Sequence, residues 1–364
     1  MSHFVVTYEI YGDDVQAVAD AIRVEQTIEF PHDLAADWIQ QEVVGEILSI
    51  RPASPGMSIT DIAYDIRTTG FELPQFLNVL WGNVSLFKGV RLRSLQLPRE
   101  LIAHFKGPRF GVNGLREYFN APTRPLLATA IKPMGTDSEG FAAIASTLAR
   151  AGLDIIKDDH SLANQPWAPW RERVARVCDA VQKSNEQTGH KTVYAPSLNL
   201  PADEILNAAL EAKDLGAGAL MMLPGVTGFD SMRTVADNDE IALPIMSHPS
   251  MLGSLVVNPT QGMAHGVLLG TIMRLAGADI SVFPNFGGRF SFTREECLEI
   301  TESAHSDLPG LKPIWVSPAG GMTLEKIPEM RSFYGDDLTL LIGGALHRGD
   351  LYENASAMVG AVSN

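Results

Sequence analysis

The sequence predicts an α/β protein: a C-terminal (β/α)8 TIM barrel over residues 125–364, preceded by an α+β, ferredoxin-like N-terminal domain over residues 1–124. Eight short apolar runs after residue 125 indicate the barrel, because helix-like stretches such as 141–150, 202–215 and 263–275 separate them. The runs are 126–131, 154–157, 193–198, 219–223, 244–247, 280–283, 313–317 and 338–342. A doubly wound parallel sheet would show the same alternation, but eight regular units favour closure.

The first 124 residues show strands and helices without the regular alternation of the barrel, which is typical of an α+β domain. Strand-like patterns and helix-like patterns are distinguished by apolar periods of two and about 3.6 residues. The predicted strands are 4–10, 44–50, 60–67 and 92–97, and the predicted helices are 13–25 and 73–80. The loop Lys106-Gly107-Pro108 ends this part, and a connector leads to about residue 124.

The composition excludes several classes of function. The chain has 43 acidic and 28 basic residues, a net charge of −15, so it would repel a nucleic-acid backbone. Its two cysteines, Cys178 and Cys297, do not make a disulfide framework. The first residues alternate like a strand and resemble neither a signal peptide nor a membrane span, so we expect a cytoplasmic enzyme.

Four polar residues, Lys157-Asp158-Asp159-His160, follow the second apolar run of the barrel. Catalytic groups of TIM barrels lie at the carboxyl ends of the strands. Strand alternation would place Lys157 and Asp159 on one side, and Asp158 and His160 on the other. The cluster therefore predicts a metal site or an acid–base cluster, although a solvated strand-to-loop turn would also fit.

Two further titratable residues end barrel strands. Lys132 follows the first run, where it would bind an anionic substrate or act as a base if burial lowered its pKa; a surface lysine before a proline turn is the alternative. His248 follows the fifth run, and a purely structural hydrogen-bonding role is as compatible with the sequence as a functional one. Both are candidates for a site at the barrel mouth.

Glycine pairs follow the last two strands of the predicted barrel. Ala319-Gly320-Gly321 and Gly343-Gly344 would let backbone N–H groups approach a phosphate, as barrel enzymes often do at this place, although two tight turns would also fit. A third loop, Asn285 to Arg289, combines two glycines with an arginine that would close over an anion. An ordinary surface loop has nearly the same composition.

Together these segments resemble the large subunit of ribulose-bisphosphate carboxylase, and the resemblance covers almost the whole chain. The most specific motif is GLDIIKDDHSLANQPWAPWRERV at 152–174. By this resemblance Lys132 takes the position of the catalytic lysine, and His248 that of the strand-five histidine. The segment 81–98 similarly assigns Asn83 as an active-site asparagine, and Glu25 matches an amino-domain glutamate. The glycine pairs match the phosphate loops of the family.

The resemblance also implies a metal centre. Its ligands would be Lys157, carbamylated by CO2, together with Asp159 and His160, where the family has a glutamate in place of the histidine. We expect Mg²⁺ or Mn²⁺, although an imidazole ligand suits manganese, iron, cobalt or zinc better than magnesium. The alternatives are that the site works without a metal, or that His160 points away from the metal.

The departures from the family indicate that the chain is not a carboxylase. The family has the sequence Lys-Pro-Lys (the KPK motif) where this chain has Lys132-Pro133-Met134, so Met134 replaces the second lysine. Pro249 replaces a phosphate-binding arginine, and Arg289 occupies the position of a lysine in the loop after the sixth barrel strand. This pattern resembles the RuBisCO-like proteins, which enolise or isomerise sugar phosphates in sulfur and methionine salvage. It implies an isomerase of 5-methylthioribulose 1-phosphate, acting as a homodimer whose subunits share active sites.

Other reactions of the family stay open. They are enolisation of 2,3-diketo-5-methylthiopentyl 1-phosphate and decarboxylation of a 3-oxo sugar-acid phosphate such as 3-oxo-isoapionate 4-phosphate. A regulatory protein that only binds a sugar phosphate is the non-enzymatic alternative. Lys132 and Lys157 argue against it, since binding alone needs no lysine that can be carbamylated.

Overall fold

A computed structural model describes residues 2–288, 290, 292–344 and 346–363. The N-terminal part forms a β-sheet from four antiparallel strands in the order β4-β1-β3-β2, with α1 and α3 as the two connecting helices of a ferredoxin-like fold. Its strands are β1 His3–Tyr11, β2 Glu46–Ser54, β3 Met57–Asp65 and β4 Val90–Gln96. Its α-helices are α1 Val15–Glu25, α2 Asp37–Glu42, α3 Leu73–Trp81 and α4 Arg99–Ile102, with short 3₁₀ helices at His32–Leu34, Ile66–Thr69 and Asn83–Leu86.

The C-terminal part is an eight-stranded parallel barrel, as the eight apolar runs predict. Its strands are β5 Leu126–Ile131, β6 Ile155–Asp158, β7 Val193–Ala195, β8 Leu220–Met222, β9 Ile245–Ser247, β11 Ile280–Pro284, β12 Trp315–Ala319 and β13 Thr339–Ile342. Neighbouring strands pair in parallel from β8 round to β7. The bridge between Ser197 and Met221 joins the two ends, so the barrel closes just beyond β7.

Helices surround the barrel, and their amphipathic faces cover the strands. They are α5 Gly111–Tyr118, α6 Ser138–Arg150, α7 Trp170–Thr188, α8 Ile205–Asp214, α9 Pro224–Thr227, α10 Phe229–Asp237, α11 Gly253–Val256, a π-helical turn Val267–Ile272 that continues into α12 Met273–Leu275, α13 Arg294–His305, a 3₁₀ helix Leu324–Lys326, α14 Ile327–Tyr334 and α15 Leu351–Ser363. Among the described residues, no helix combines the length and apolar character that crossing a membrane requires.

The segment after β9 differs from its prediction. The helix expected over 263–275 begins later, because Gly262 and Met263 form a short strand, β10, that pairs in parallel with Arg91 and Leu92 of β4. The sheet of the N-terminal part therefore gains a fifth strand from the barrel part of the chain. This strand fixes the loop after β9 against the N-terminal sheet.

The connector before the barrel contains a helix that closes the barrel floor. Leu115 of α5 and Phe119, which directly follows that helix, pack into one buried cluster with the barrel residues Leu126 and Trp315. Asp279, at the start of β11, accepts hydrogen bonds from the first backbone N–H groups of this segment. The opposite, carboxyl end of the barrel is therefore the end left open for a site.

Candidate active site

A cavity of about 1370 Å³ lies at the carboxyl ends of the barrel strands. It is lined by ten of the residues that the sequence singles out, namely Lys132, Lys157, Asp159, His160, His248, Ala319, Gly320, Gly321, Gly343 and Gly344. Asn83 and Glu25 lie elsewhere, and Arg289 is outside the described residues. The barrel topology thus brings segments more than 200 residues apart into one cavity.

Asp159 is the centre of the polar cluster. Its Oδ2 is 2.7 Å from Lys132 Nζ, and its Oδ1 is 2.9 Å from His160 Nδ1. Burial by itself would raise the pKa of Asp159, but the hydrogen bonds from His160 and Lys132 and the charge of Lys132 hold that pKa far below its usual range. Asp159 is therefore a fixed negative charge that holds Lys132 and His160 in contact with its two oxygens.

Lys157 lies in the barrel interior with almost no exposed surface. Its Nζ donates to the backbone carbonyl of Asp158 at 2.9 Å and lies 3.2 Å from Met221 Sδ. Burial, opposed in part by the charge of Asp159, lowers the pKa of Lys157 to about 8. Part of the population is therefore a neutral amine near pH 8, the form that reacts with CO2.

Asp158 points away from the cavity, as strand alternation predicts. Its carboxylate forms a fully buried ion pair with Arg173 of α7 at 3.1 Å and accepts from Tyr194 Oη at 2.6 Å. The same alternation placed His160 on that outer side, and this prediction was wrong, because β6 ends at Asp158 and the chain turns before His160. His160 therefore faces the cavity beside Asp159.

His248 follows β9, lines the cavity and stacks on His160. The two rings are 5.0 Å apart between centroids and nearly parallel, at 2°. Nδ1 of His248 is 3.0 Å from Ser250 Oγ. Burial and the nearby charge of Lys157 lower the pKa of His248 to about 2, so its imidazole is neutral.

The two glycine loops lie side by side because β12 and β13 are neighbours in the barrel. Gly320 and Gly321 have positive φ values of 95° and 68°, which favour glycine. A Cβ added at Gly320, Gly343 or Gly344 would meet no atom within 4 Å, so these loops expose backbone to open space. They are the parts of the mouth that best suit a phosphate.

Several residues near the cavity were missed from the sequence. Arg348 lines it beyond the second glycine loop, and Lys326 places Nζ 3.7 Å from where a Cβ of Gly321 would be. His265 and Glu296 line a more apolar part. The short distance in sequence from Gly321 to Lys326 could have indicated the lysine, whereas nothing local distinguishes His265.

The predicted metal ligands fit a divalent cation in part. Asp159 and His160 lie in direct contact, and Lys157 is close enough for its charge to act on Asp159. Among the described residues, no three His, Cys, Asp or Glu side chains are placed to hold a metal, so the third ligand would have to be a carbamate on Lys157. Two oxygen donors and one imidazole suit Mn²⁺ better than Mg²⁺.

Asn83 and Glu25 contact each other rather than the cavity. Asn83 Nδ2 donates to Glu25 Oε1 at 2.7 Å on the exposed surface of the N-terminal part. Asn83 lies just after α3, and Glu25 is the last residue of α1, so both lie at one edge of that part. Within a single chain they contribute nothing to the cavity.

The fold and this cluster define a class: a TIM-barrel protein whose lysines, carboxylate and histidines converge at the carboxyl ends of the strands, opposite two glycine loops. Comparison with known proteins makes the assignment more specific. The model of the ribulose bisphosphate carboxylase large chain, catalytic domain, matches residues 111–287.

Relatives match over nearly the whole chain. The 5-methylthioribulose-1-phosphate isomerase of Rhodospirillum rubrum is 35% identical over 96% of this chain and 92% of its own. The 2,3-diketo-5-methylthiopentyl-1-phosphate enolase of Geobacillus kaustophilus is 30% identical over 95% and 88%. The crystal structure of a Rubisco-like protein from Rhodopseudomonas palustris superposes with a TM-score of 0.91 at 34% identity, covering 100% of this chain and 98% of that one. The chain therefore belongs to the RuBisCO-like family, as the sequence resemblance predicts.

Proposed function

We propose that the protein enolises and isomerises a ketose carrying one phosphate, without fixing CO2, and that 5-methylthioribulose 1-phosphate is its substrate. One observation carries the proposal: Lys132, Asp159 and His160 form a hydrogen-bonded chain beside buried Lys157, in a cavity that also contains both glycine loops. Such a cluster can remove a proton from the carbon next to a carbonyl while the loops hold the phosphate. The isomerase relative supports this choice of substrate.

Lys132 is the proposed proton carrier. About a third of its side chain is exposed, 34%, so a bound ketose can reach Nζ. In its neutral form Nζ takes the proton from the carbon next to the carbonyl, and Asp159 Oδ2 then stabilises the ammonium. Nζ then returns the proton to the former carbonyl carbon, while the proton of the adjacent hydroxyl passes to the former carbonyl oxygen, and together these transfers move the carbonyl along the chain. Neutral His248 binds a substrate hydroxyl and keeps it oriented.

Lys157 as a carbamate, Asp159 and His160 would hold a divalent cation, Mn²⁺ rather than Mg²⁺. When bound, the cation polarises the substrate carbonyl and makes the adjacent carbon more acidic. The buried amine of Lys157 is suited to carbamylation because its lowered pKa supplies the neutral form. The environment of Asp159 keeps the carboxylate ionised at every physiological pH.

The proton-transfer role is tested with Lys132→Met. Loss of a general base or acid typically lowers the rate by about 10²–10⁴-fold. We expect a loss in this range in isomerisation and in exchange of the substrate α-proton with D2O, followed by NMR. Lys183→Met, on the exposed face of α7, is the matched control and should behave as wild type. Wild-type exchange in Lys132→Met would refute the assignment.

The metal and carbamate assignments need a readout other than activity. We expect ¹³C-labelled bicarbonate to give a carbamate resonance in the wild type that is absent in Lys157→Met. Calorimetry should show tighter binding of Mn²⁺ than of Mg²⁺, and His160→Glu should reverse or abolish this preference. Equal spectra of wild type and Lys157→Met would remove the carbamate from the proposal.

The enolase reaction is the second candidate, because a relative of comparable coverage carries that name. The two substrates differ in oxidation state: the enolase substrate is a diketone and the isomerase substrate is a ketose. Turnover of each, measured by NMR with the same enzyme preparation, separates them. Conversion of the diketone alone would replace the isomerase proposal and leave the role of Lys132 intact.

We also propose a homodimer in which Asn83 and Glu25 complete the partner's cavity. The support is that this hydrogen-bonded pair is exposed and contributes nothing within its own chain. Mixing the inactive variants Asn83→Ala and Lys132→Met before refolding should restore part of the activity, since hybrid dimers would contain one intact site. An active monomer in light scattering would contradict the proposal.

A further inference from the structure

The loop 159–169, which joins β6 to α7, carries two residues of the proposed chemistry at its first positions. These residues, Asp159 and His160, both line the cavity. Loops without a helix or strand of their own are usually more mobile than the elements they connect. A reacting group, in contrast, has to be held within about 0.5 Å of its productive position. Contacts outside the cavity must therefore fix this loop.

Arg173 of α7 binds the loop, although it is not among the residues that line the cavity. Its side chain is fully buried, and its Nη1 donates to the backbone carbonyls of Ala163 at 2.9 Å and Ala168 at 2.8 Å. Its Nη2 donates to Asp158 Oδ2 at 3.1 Å. One guanidinium therefore joins the middle and the end of the loop to the last residue of β6.

The Asp158 carboxylate extends this connection to β7. Its Oδ1 accepts from Tyr194 Oη at 2.6 Å, and its Oδ2 accepts from the backbone N–H of Ser197 at 3.0 Å. Nε1 of Trp170, the first residue of α7, donates to the carbonyl of Ser197 at 2.9 Å. The ends of β6 and β7, the start of α7 and the loop therefore form one hydrogen-bonded unit.

The backbone of Asp158 connects this unit to the cavity. Asp158 lies between Lys157 and Asp159 in the chain, and its carbonyl accepts from Lys157 Nζ at 2.9 Å. Asp159 Oδ2 is in turn 2.7 Å from Lys132 Nζ. A rotation of the backbone at Asp158 would therefore displace the polar side chains of the cavity together.

Stability alone does not account for the buried ion pair. Replacing such a pair by apolar side chains of similar volume is often neutral or stabilising, because the loss of hydration offsets the attraction of the charges. An arginine adds N–H groups in a fixed plane, which here bind two carbonyls and a carboxylate at once. The bonds to Ala163 and Ala168 are therefore its distinctive contribution.

We infer that the ion pair of Asp158 and Arg173 positions the loop 159–169, and through it Asp159 and His160, for the proton transfer. The inference rests on the proposed function, since it concerns the same site. Arg173 is a positioning residue, because it acts through the loop and not on the substrate. Without its bonds to the two carbonyls, the loop samples other conformations and the two site residues lose their common orientation.

A double variant separates positioning from stability. Arg173→Met alone leaves a buried carboxylate unpaired, so a loss of activity would have two explanations. Asp158→Asn combined with Arg173→Met leaves no charge at the pair, and the new amide can accept from Ser197 N–H and donate to Tyr194 Oη. We expect its melting temperature to be much closer to wild type than that of Arg173→Met. Arg176→Met, exposed on the same helix, is the matched control.

Two measurements on the double variant require no turnover. Hydrogen–deuterium exchange followed by mass spectrometry should be about tenfold faster in the segment 159–169 and unchanged in β12 and β13. Calorimetry in bicarbonate buffer should show that Mn²⁺ binds about 10–100-fold more weakly, as when an outer partner of a metal ligand is lost. Inorganic phosphate should bind as in wild type, because the glycine loops follow other strands.

The kinetic test compares kcat with KM. Misplacement of the reacting groups by about 1 Å lowers the rate by about 10²-fold, so kcat of the double variant should fall by this factor. Its KM should stay near the wild-type value, since the phosphate loops are intact. A general loss of structure would instead lower the phosphate affinity and the melting temperature together, and would overturn the inference.

The outcomes separate this inference from the proposed function. Faster exchange confined to 159–169 would support the positioning role even if the wild type turned over no sugar phosphate, which would refute the isomerase proposal alone. Wild-type kcat and Mn²⁺ affinity in a stable double variant would overturn the positioning role and leave the isomerase proposal standing. If the double variant does not fold, Arg173→Lys decides by the same measurements, because its ammonium pairs with Asp158 but lacks the planar set of donors.

Discussion

Lys326 should strengthen phosphate binding at the first glycine loop. It ends the short 3₁₀ helix directly after that loop, and its Nζ is 3.7 Å from the position of a Cβ on Gly321. Within the described part of the chain, no side chain pairs with this ammonium. A phosphate bound by the loop amides would therefore have an unneutralised cation next to it.

The expected magnitude is that for a phosphate charge placed at about that distance from Nζ. Two unit charges about 4 Å apart interact by roughly 4 kcal/mol at an effective dielectric constant of about 20. Because Lys326 is half-exposed, water and salt reduce this to about 1 kcal/mol or slightly more, by analogy with exposed pairs. Lys326→Gln should therefore weaken the binding of inorganic phosphate by about five- to tenfold at low ionic strength.

Calorimetric titration with inorganic phosphate at several salt concentrations measures this effect. Lys326→Arg should preserve most of the affinity, and Lys183→Gln is the surface control. In kinetic assays the loss should appear in KM rather than in kcat, since no hydrogen bond or ion pair among the described residues joins Lys326 to the proposed proton-transfer cluster. Equal phosphate affinities for wild type and Lys326→Gln at low salt would refute the reasoning.

Three further predictions concern stability and thiol reactivity. Arg173→Met should lower the free energy of unfolding, measured in urea, by about 3–5 kcal/mol, because it leaves the Asp158 carboxylate buried without its partner. The exposed control Arg176→Met should change this free energy by less than about 1 kcal/mol. Asp279→Asn should cost about 1–3 kcal/mol in the same assay, since one carboxylate accepts from three backbone N–H groups and an amide oxygen cannot replace both acceptors; a stable variant would contradict this. Cys178 is buried and its pKa is raised to about 12, so Ellman's reagent at pH 8 should label it only after unfolding, and rapid labelling of the native protein would show that the helix opens.

Periodicity was sufficient to predict the barrel because each strand is buried on both faces. Such strands appear as continuous apolar runs, and β5 Leu126–Ile131 coincides with its predicted run. The short strand after β9 could not be predicted from periodicity. Gly262 and Met263 form a strand only because β4 of another sheet lies beside them, which no local pattern encodes.

The site was predictable where a strand end determines the direction of a side chain. Lys157, Asp158 and Asp159 obey alternation, whereas His160 does not, because the chain turns at His160, after the end of β6. His265 was missed because its surroundings are not local: its burial and the neighbouring Glu296 are known only from the fold. Asn83 and Glu25 were suggested by resemblance alone, and within one chain they contact each other instead of the cavity.

The histidine at position 160 connects the metal, the substrate and the overall charge. A glutamate there would give the cluster one more negative charge, which a small hard cation such as Mg²⁺ favours and a phosphorylated substrate does not. With His160, Asp159 is the remaining carboxylate of the described cluster, and Lys132 already neutralises it. The cavity mouth then keeps the positive charges of Arg348 and Lys326 available, although the protein as a whole carries −15. Under the proposed function, this one substitution would weaken the site for Mg²⁺ and strengthen it for a phosphate anion. It would thereby help a chain that lacks the second KPK lysine and the strand-five arginine to hold a monophosphate.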